Sequence, residues 1–187
     1  ELDCRNRWVY VVAGACALIF AGLIYSWSIL SKPIAAEFPL WTQAQISMAF
    51  TIIMAMFCIG GIGGGFLSSR IAPKWAMVAS AILFLAGFLM GARIQKPIQL
   101  YLTFSTFCGF ASGLAYNTVI SSIGKWFPDR QGLVSGILLM GFGLSSFLFG
   151  NAFQAIAPDE IGGWRGTFTL FGIIICIALL ACSPFIV

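Results

Sequence analysis

Long runs of apolar residues alternate with short polar, charged or proline-bearing breaks along the whole chain. The runs cover about residues 8–30, 46–67, 75–92, 98–124, 132–156 and 164–187. A helix needs ~20 predominantly apolar residues to cross ~30 Å of hydrocarbon, and each run is near or above that length. The breaks are Lys32-Pro33 with Trp41 and Gln43, the hinge Ser68 to Lys74, the group Arg93, Lys96 and Pro97, the segment Lys125 to Gln131, and Pro158-Asp159-Glu160. This pattern predicts an all-α membrane protein, a single bundle of six transmembrane helices occupying residues 1–187.

Composition narrows the class further. Apolar residues make up 60% of the 187 and charged residues only 9%, with a mean hydropathy of +0.98. That leaves no stretch for a separate soluble domain. The net charge of +4 is dispersed over the breaks, so no basic run offers a nucleic-acid surface, and a nucleic-acid partner is not expected. The bilayer itself is the first partner. All the cysteines but Cys4 lie inside apolar runs, none in C-x-x-C spacing, so neither a disulfide framework nor a metal site is expected. The chain has no histidine, which removes the commonest metal ligand and proton shuttle; no cofactor is implied. Trp8, Trp27, Trp41, Trp75, Trp126 and Trp164 fall at or near the ends of runs, as expected of an interfacial belt. Arg5, Arg7, Arg70, Lys74, Lys125 and Arg130 fall on one side, against Lys32, Arg93, Lys96 and Arg165 on the other. The excess puts both termini in the cytoplasm of a multi-pass protein of the cell membrane.

No Asp, Glu, Lys or Arg lies in the interior of any run. A proton-coupled carrier usually keeps such a relay group within the membrane, and a charged solute needs a countercharge. The solute is therefore neutral, or the countercharge comes from another polypeptide segment. The polar groups that do lie inside are neutral. Tyr25 and Ser26 stand beside Trp27 in the first run, and the fourth run carries Tyr116 and Asn117 among several Ser and Thr. Ser and Thr can bond back to their own helix, whereas an unpartnered amide is costly there. Tyr25, Trp27, Tyr116 and Asn117 are the candidate solute contacts. Glycines recur at four-residue spacing (Gly61 and Gly65, Gly109 and Gly113, Gly132 and Gly136), the spacing that lets helices approach closely. They are densest in runs two and five, which suggests helices able to slide. If runs one to three and four to six form two inverted repeats, Tyr25 and Tyr116 occupy matching offsets and lie above and below a central cavity.

The stretch Gly65-Phe66-Leu67-Ser68-Ser69-Arg70-Ile71-Ala72-Pro73-Lys74 resembles the signature loop of the major facilitator superfamily, G-x-x-x-D-R/K-x-G-R/K-R/K, at Gly65, Arg70 and Lys74. Ser69 stands where that family has an Asp that helps hold the cytoplasmic gate shut, and Ala72 replaces its second glycine. Any latch would thus be made by other residues. Within the superfamily the chain is most similar to the oxalate/formate antiporter family. Tyr25-Ser26-Trp27 looks like its Y-S-W. Gly63-Gly64-Gly65-Phe66 with Pro73 looks like its G-G-G-Y…G-P-R. Tyr116 with Lys125-Trp126-Phe127-Pro128-Asp129-Arg130-Gln131-Gly132-Leu133-Val134-Ser135-Gly136 looks like its Y…R-W-F-P-D-K-R-G-L-A-S-G.

The resemblance implies the N-terminal six-helix half of a twelve-helix transporter. In that family, basic residues of the C-terminal half hold the anion. The implied lining here is Tyr25, Trp27 and Tyr116, and the implied cytoplasmic gate group is Gly65, Arg70, Lys74, Asp129 and Arg130. Asp129 could also cap the fifth helix. The leading expectation is antiport of small carboxylates by alternating access, with a C-terminal half, in the same or a separate chain, as partner. A half-size homodimer carrying a neutral solute and a non-transporting membrane scaffold are the rivals. No nucleophile–base pair suggests an enzyme.

Overall fold

A computed structural model of the chain describes residues 4–156 and 163–186, apart from the side chains of residues 4–6, 68 and 69. The expected break at Pro158-Asp159-Glu160 lies outside the described residues, as does the side chain of Ser69. Among the described residues, six helices are long and apolar enough to cross a membrane. They are α1 (Arg7–Glu37), α2 (Gln43–Arg70), α3 (Pro73–Gly91), α4 (Pro97–Trp126), α5 (Gln131–Ile156) and α6 (Gly163–Phe185).

Local chemistry sets the starts. Thr42 and Gln45 form a reciprocal capping box for α2: the Gln45 N–H donates to Thr42 Oγ1 at 3.3 Å and the Thr42 N–H to Gln45 Oε1 at 2.9 Å. Two of the donors that a helix start leaves unpaired are thereby satisfied. Pro73 and Pro97 open α3 and α4, where a missing N–H costs nothing and the fixed φ is already helical.

The largest departure from expectation is in α1. The apolar pattern stops it near residue 30, at Lys32-Pro33, but the helix continues to Glu37 with Pro33 inside. Proline removes one N–H, the one that would bond to the Ile29 carbonyl. The C-terminal segment of α1 survives because Trp27, Leu30 and Ile34 bury one of its faces in the bundle. Between Gly22 and Ser26, α1 tightens into a 3₁₀ turn. At this point Ser112 of α4 donates its hydroxyl to the Ala21 carbonyl at 2.7 Å. Replacing Ser112 with alanine should lower stability by roughly 0.6 kcal/mol, the typical worth of an interhelical hydrogen bond in a membrane bundle; denaturation of the purified protein in mixed micelles would measure it. A second irregularity, a π turn over Tyr101–Ser105, interrupts α4. Thr106 donates its hydroxyl there to the Tyr101 carbonyl at 2.8 Å.

The bundle consists of two three-helix units in inverted orientation. The most extensive interface joins α2 to α4, and it is matched by α5 on α1. The contact of α3 with α4 is matched by that of α6 with α1, while the α1–α4 and α3–α6 interfaces map onto themselves. The result is a row α2–α4–α1–α5 with α3 and α6 behind it. Helices α2 and α5 are the least buried of the six.

Glycines make the tight seams. A Cβ on Gly60 would sit 2.2 Å from the Phe110 carbonyl oxygen, and one on Gly113 would sit 2.0 Å from that of Phe57. The glycines of α2 that the sequence pattern suggests as a sliding surface are thus partly committed: Gly60, Gly61 and Gly64 are packed on α4, while Gly65 is open. On α5, Gly132, Gly136 and Gly143 face open space.

Candidate functional site

The row α2–α4–α1–α5 brings four aromatic rings together near its middle. Tyr25 of α1 meets Phe142 of α5 edge-on at 5.4 Å, and Tyr116 of α4 lies 5.0 Å from the same ring. Phe57 of α2 contacts Tyr116 at 5.5 Å and Phe142 at 5.9 Å. Inverted-repeat counting places Tyr25 and Tyr116 above and below a central cavity. In the folded chain one ring, Phe142, bridges them, so they belong to a single cluster. Each of the four residues comes from a different helix of the row, which explains why no local pattern reveals the group. Phe57 and Phe142 look like ordinary apolar positions in the sequence.

Through Tyr25 the cluster borders a cavity of about 310 Å³ between the C-terminal half of α1 and the N-terminal half of α2. Tyr25, Trp27, Ser28 and Ser31 line it from α1, and Gln43, Ile46, Ser47 and Phe50 from α2. Tyr25 is 43% exposed, so its ring reaches the cavity. Ser28, Ser31, Gln43 and Ser47 add hydroxyls and an amide that sequence reasoning passed over. The signal was available: Tyr25, Ser28 and Ser31 follow one another at three-residue intervals in α1, but only on the premise that the helix runs past residue 30. All the polar groups in the cavity wall are neutral donors and acceptors. They can orient a small polar solute and cannot neutralise a full charge.

Two of the candidate contacts serve packing as well. Trp27 is buried, with its indole N–H donating to the Ile46 carbonyl at 3.2 Å and its ring 5.5 Å from Phe104. It is thus an interior wall residue and not part of an interfacial belt; the extension of α1 to Glu37 moves it well inside the span. Asn117 donates its amide to the Gly61 carbonyl on α2 at 2.7 Å. This interhelical clamp satisfies the amide that the sequence left without a partner.

The expected gate residues fall into two groups. Arg70 stacks on Phe66 of its own helix at 4.3 Å. Lys74 lies 5.9 Å from the Trp75 ring, and its carbonyl accepts the Ser183 hydroxyl at 3.0 Å. Asp129 and Arg130 form an exposed pair at 3.8 Å and line a cleft of about 270 Å³ with Arg7, Trp8 and Phe127. Arg7 donates to the Trp126 carbonyl at 3.2 Å, and Tyr10 stacks on Trp126 at 5.5 Å. Helix α5 begins at Gln131, which puts Arg130, and not Asp129, in the position preceding its first turn. Among the described residues no ion pair joins the two groups.

At the opposite membrane face, Glu37 at the end of α1 is held by Arg165 at 2.7 Å and by the Trp164 indole N–H. Arg165 also donates to the carbonyls of Ala92 at 2.8 Å and Ile94 at 3.1 Å. One guanidinium therefore ties α1, α6 and the α3–α4 connection.

Six spans in two inverted repeats, with a solute-sized cavity between the first two, define a transporter-type membrane bundle. The Major Facilitator Superfamily profile matches residues 12–186, and the chain belongs to that superfamily. It is 28% identical over 170 residues to an uncharacterized MFS-type transporter, YhjX, of Escherichia coli K12, covering 91% of this chain and 42% of that protein. It is 26% identical over 176 residues to the oxalate:formate antiporter of Oxalobacter formigenes, covering 94% of this chain and 41% of that protein. Monocarboxylate transporter 13 of Bos taurus is 28% identical over 178 residues, with 94% and 41% covered. The chain thus spans about two-fifths of the length of these curated relatives.

Proposed function

We propose that this chain is the N-terminal half of a secondary transporter that exchanges small carboxylates by alternating access, with both termini in the cytoplasm of the cell membrane. The observation that carries the reading is the neutral, hydroxyl-lined cavity bounded by Tyr25 and Trp27, whose Tyr25 ring continues into the cluster with Phe142 and Tyr116. Similarity to an oxalate:formate antiporter and a monocarboxylate transporter supports the solute class. In this reading Tyr25 and Tyr116 contact the solute, and Trp27 and Asn117 hold the walls in register. A C-terminal six-helix half, in the same or a separate chain, closes the cavity and supplies the countercharge. The open glycines of α5, Gly132, Gly136 and Gly143, suit its close approach. Gly65, Arg70, Lys74, Asp129 and Arg130 form the cytoplasmic rim, where the rearrangement is read out.

The test is counterflow of labelled oxalate, formate or lactate into proteoliposomes containing the intact protein. Exchange that depends on internal unlabelled carboxylate supports the reading, and its absence from correctly inserted protein defeats it. Tyr25→Phe and Tyr116→Phe each remove one hydroxyl and keep the ring. Each should raise the half-saturating solute concentration roughly fivefold, as expected for a lost hydrogen bond of ~1 kcal/mol, with the maximal rate changed far less.

The wholly neutral lining also favours a second reading, a homodimer of two such bundles carrying a neutral solute. The halves of this fold are related by an axis along the membrane normal, so two parallel copies could reproduce the whole. Uptake of a neutral solute by protein that cross-links as a dimer, with no carboxylate exchange, would select it.

A further inference from the structure

Lysine 32 looks in the sequence like a residue that ends a span. In the structure it is a helical residue of α1, more than a turn inside the Glu37 end. The buried face of this outer segment is Trp27, Leu30 and Ile34. Ser28 and Lys32 stand four residues apart on the opposite, exposed face, which is one face of a helix. Tyr25 and Ser28 share the cavity beside α2. Lys32 lines a second hollow, of about 580 Å³, on the α5 side, with Phe153, Gln154 and Trp164. Lys32 lines only this second hollow, but its helix neighbours Ser28 and Ser31 line the first, and the ladder Tyr25, Ser28, Lys32 rises ~10 Å from the aromatic cluster toward the outer surface at 1.5 Å per residue.

The helix has 31 residues, a length of ~46 Å at 1.5 Å per residue, which exceeds the ~30 Å of hydrocarbon, so the Lys32 ammonium can stay hydrated near the end of the span. Among the described residues no carboxylate pairs with it: Glu37 is taken by Arg165 and Asp129 by Arg130. Its four-carbon stem gives the ammonium the reach to extend from this hollow past Ser28 toward the mouth of the first. We infer that Lys32 is this half's own anion contact, an outer way-station that draws a carboxylate to the mouth and hands it to the Ser28 and Tyr25 hydroxyls. The inference rests on the carboxylate reading above and adds to it a cationic group contributed by this chain, at the entrance and not at the central site.

The experiment compares wild type, Lys32→Gln and Lys32→Arg in the intact protein, measuring initial uptake of labelled oxalate at low and high ionic strength into neutral phosphatidylcholine vesicles and, in parallel, into vesicles that also contain anionic phospholipid. Steering by one exposed charge predicts that Lys32→Gln raises the half-saturating concentration about fivefold at low salt, with the maximal rate within about twofold of wild type. Lys32→Arg should stay near wild type. The gap between wild type and Lys32→Gln should narrow as salt rises, because the Debye length falls from ~30 Å at 0.01 M to ~8 Å at 0.15 M. An unchanged half-saturating concentration in Lys32→Gln would overturn the inference. So would equal losses in Lys32→Gln and Lys32→Arg, which mark a structural role. An effect confined to vesicles containing anionic phospholipid would overturn it too, because it assigns the lysine to a headgroup phosphate. Wild type that moves no oxalate, formate or lactate defeats the carboxylate reading itself and this inference with it. Active wild type with a silent Lys32→Gln defeats the inference alone.

Discussion

Gly113→Leu should abolish the native α2–α4 interface and with it the folded bundle. A single added carbon at this position meets the Phe57 carbonyl oxygen at 2.0 Å and the Gly61 nitrogen at 2.8 Å. Both are backbone atoms, so no side chain can swing away to relieve the clash. The two helices must separate or slide, and either movement breaks the Asn117 hydrogen bond to Gly61 one turn below. It also opens the neighbouring close approaches at Gly60 and Gly109, whose would-be Cβ atoms sit 2.2 and 2.5 Å from carbonyl oxygens across the seam. Even Gly113→Ala should destabilise. A helix gains ~1 kcal/mol from Gly to Ala, but forcing apart a well-packed contact costs ~1–3 kcal/mol, and more where the backbone itself must move. Gly136→Ala is the control, because nothing lies within 4 Å of its Cβ. Thermal unfolding in detergent should show a much lower midpoint for both Gly113 variants and an unchanged or higher one for Gly136→Ala. Near-wild-type stability of Gly113→Leu would mean that the α2–α4 seam is not as close as described.

Arg165→Ala should be the most damaging of the charge removals. It deletes three hydrogen bonds at once: to Glu37 at 2.7 Å, to the Ala92 carbonyl at 2.8 Å and to the Ile94 carbonyl at 3.1 Å. The Ala92 carbonyl lies at the C-terminal end of α3, where helices leave acceptors without intrahelical partners. A hydrogen bond involving a charged group is worth ~1.5–3 kcal/mol. The ion pair is about one-third exposed, however, and water weakens its Coulombic part. A net loss of about 2 kcal/mol follows. Arg165→Lys should recover little of it, since an ammonium cannot reproduce the fork that spans three acceptors. Glu37→Gln should cost less, because the one amide oxygen can still accept from Arg165 or from Trp164, while the amide NH2 is left facing the other donor. Melting curves of the three variants test this ranking. A Lys variant as stable as wild type would reduce the contact to simple charge attraction.

These two predictions concern contacts of different legibility. The six spans and the short α2–α3 hinge could be read from residue order because they depend on local hydropathy and on backbone restrictions that neighbours impose; the apolar runs begin at about residues 75 and 98, while the helices start slightly earlier, on Pro73 and Pro97. The likeness at Gly65, Arg70 and Lys74 and along Lys125 to Gly136 was legible in the same way. Glycine density in α2 was visible too, but its use was not. A glycine that permits sliding and one locked under a carbonyl look alike until the facing helix is known. Gly60 and Gly113 are locked, whereas Gly132 and Gly136 are open.

The sequence by itself determined that this chain is a six-span membrane bundle with a neutral interior. Membrane crossing depends on apolar length and on where charges can stay hydrated, and both are properties of consecutive residues. Only the tertiary structure decided that α1 runs through Lys32-Pro33 to Glu37. Only there does Trp27 become a wall residue, Asn117 bind α2, and Tyr25 and Tyr116 meet across Phe142. The physical reason is the same each time. A proline inside a helix or a polar group inside a membrane is tolerated when distant residues bury the helix face or supply the missing partner, and those partners are set by packing between spans that are far apart in the chain.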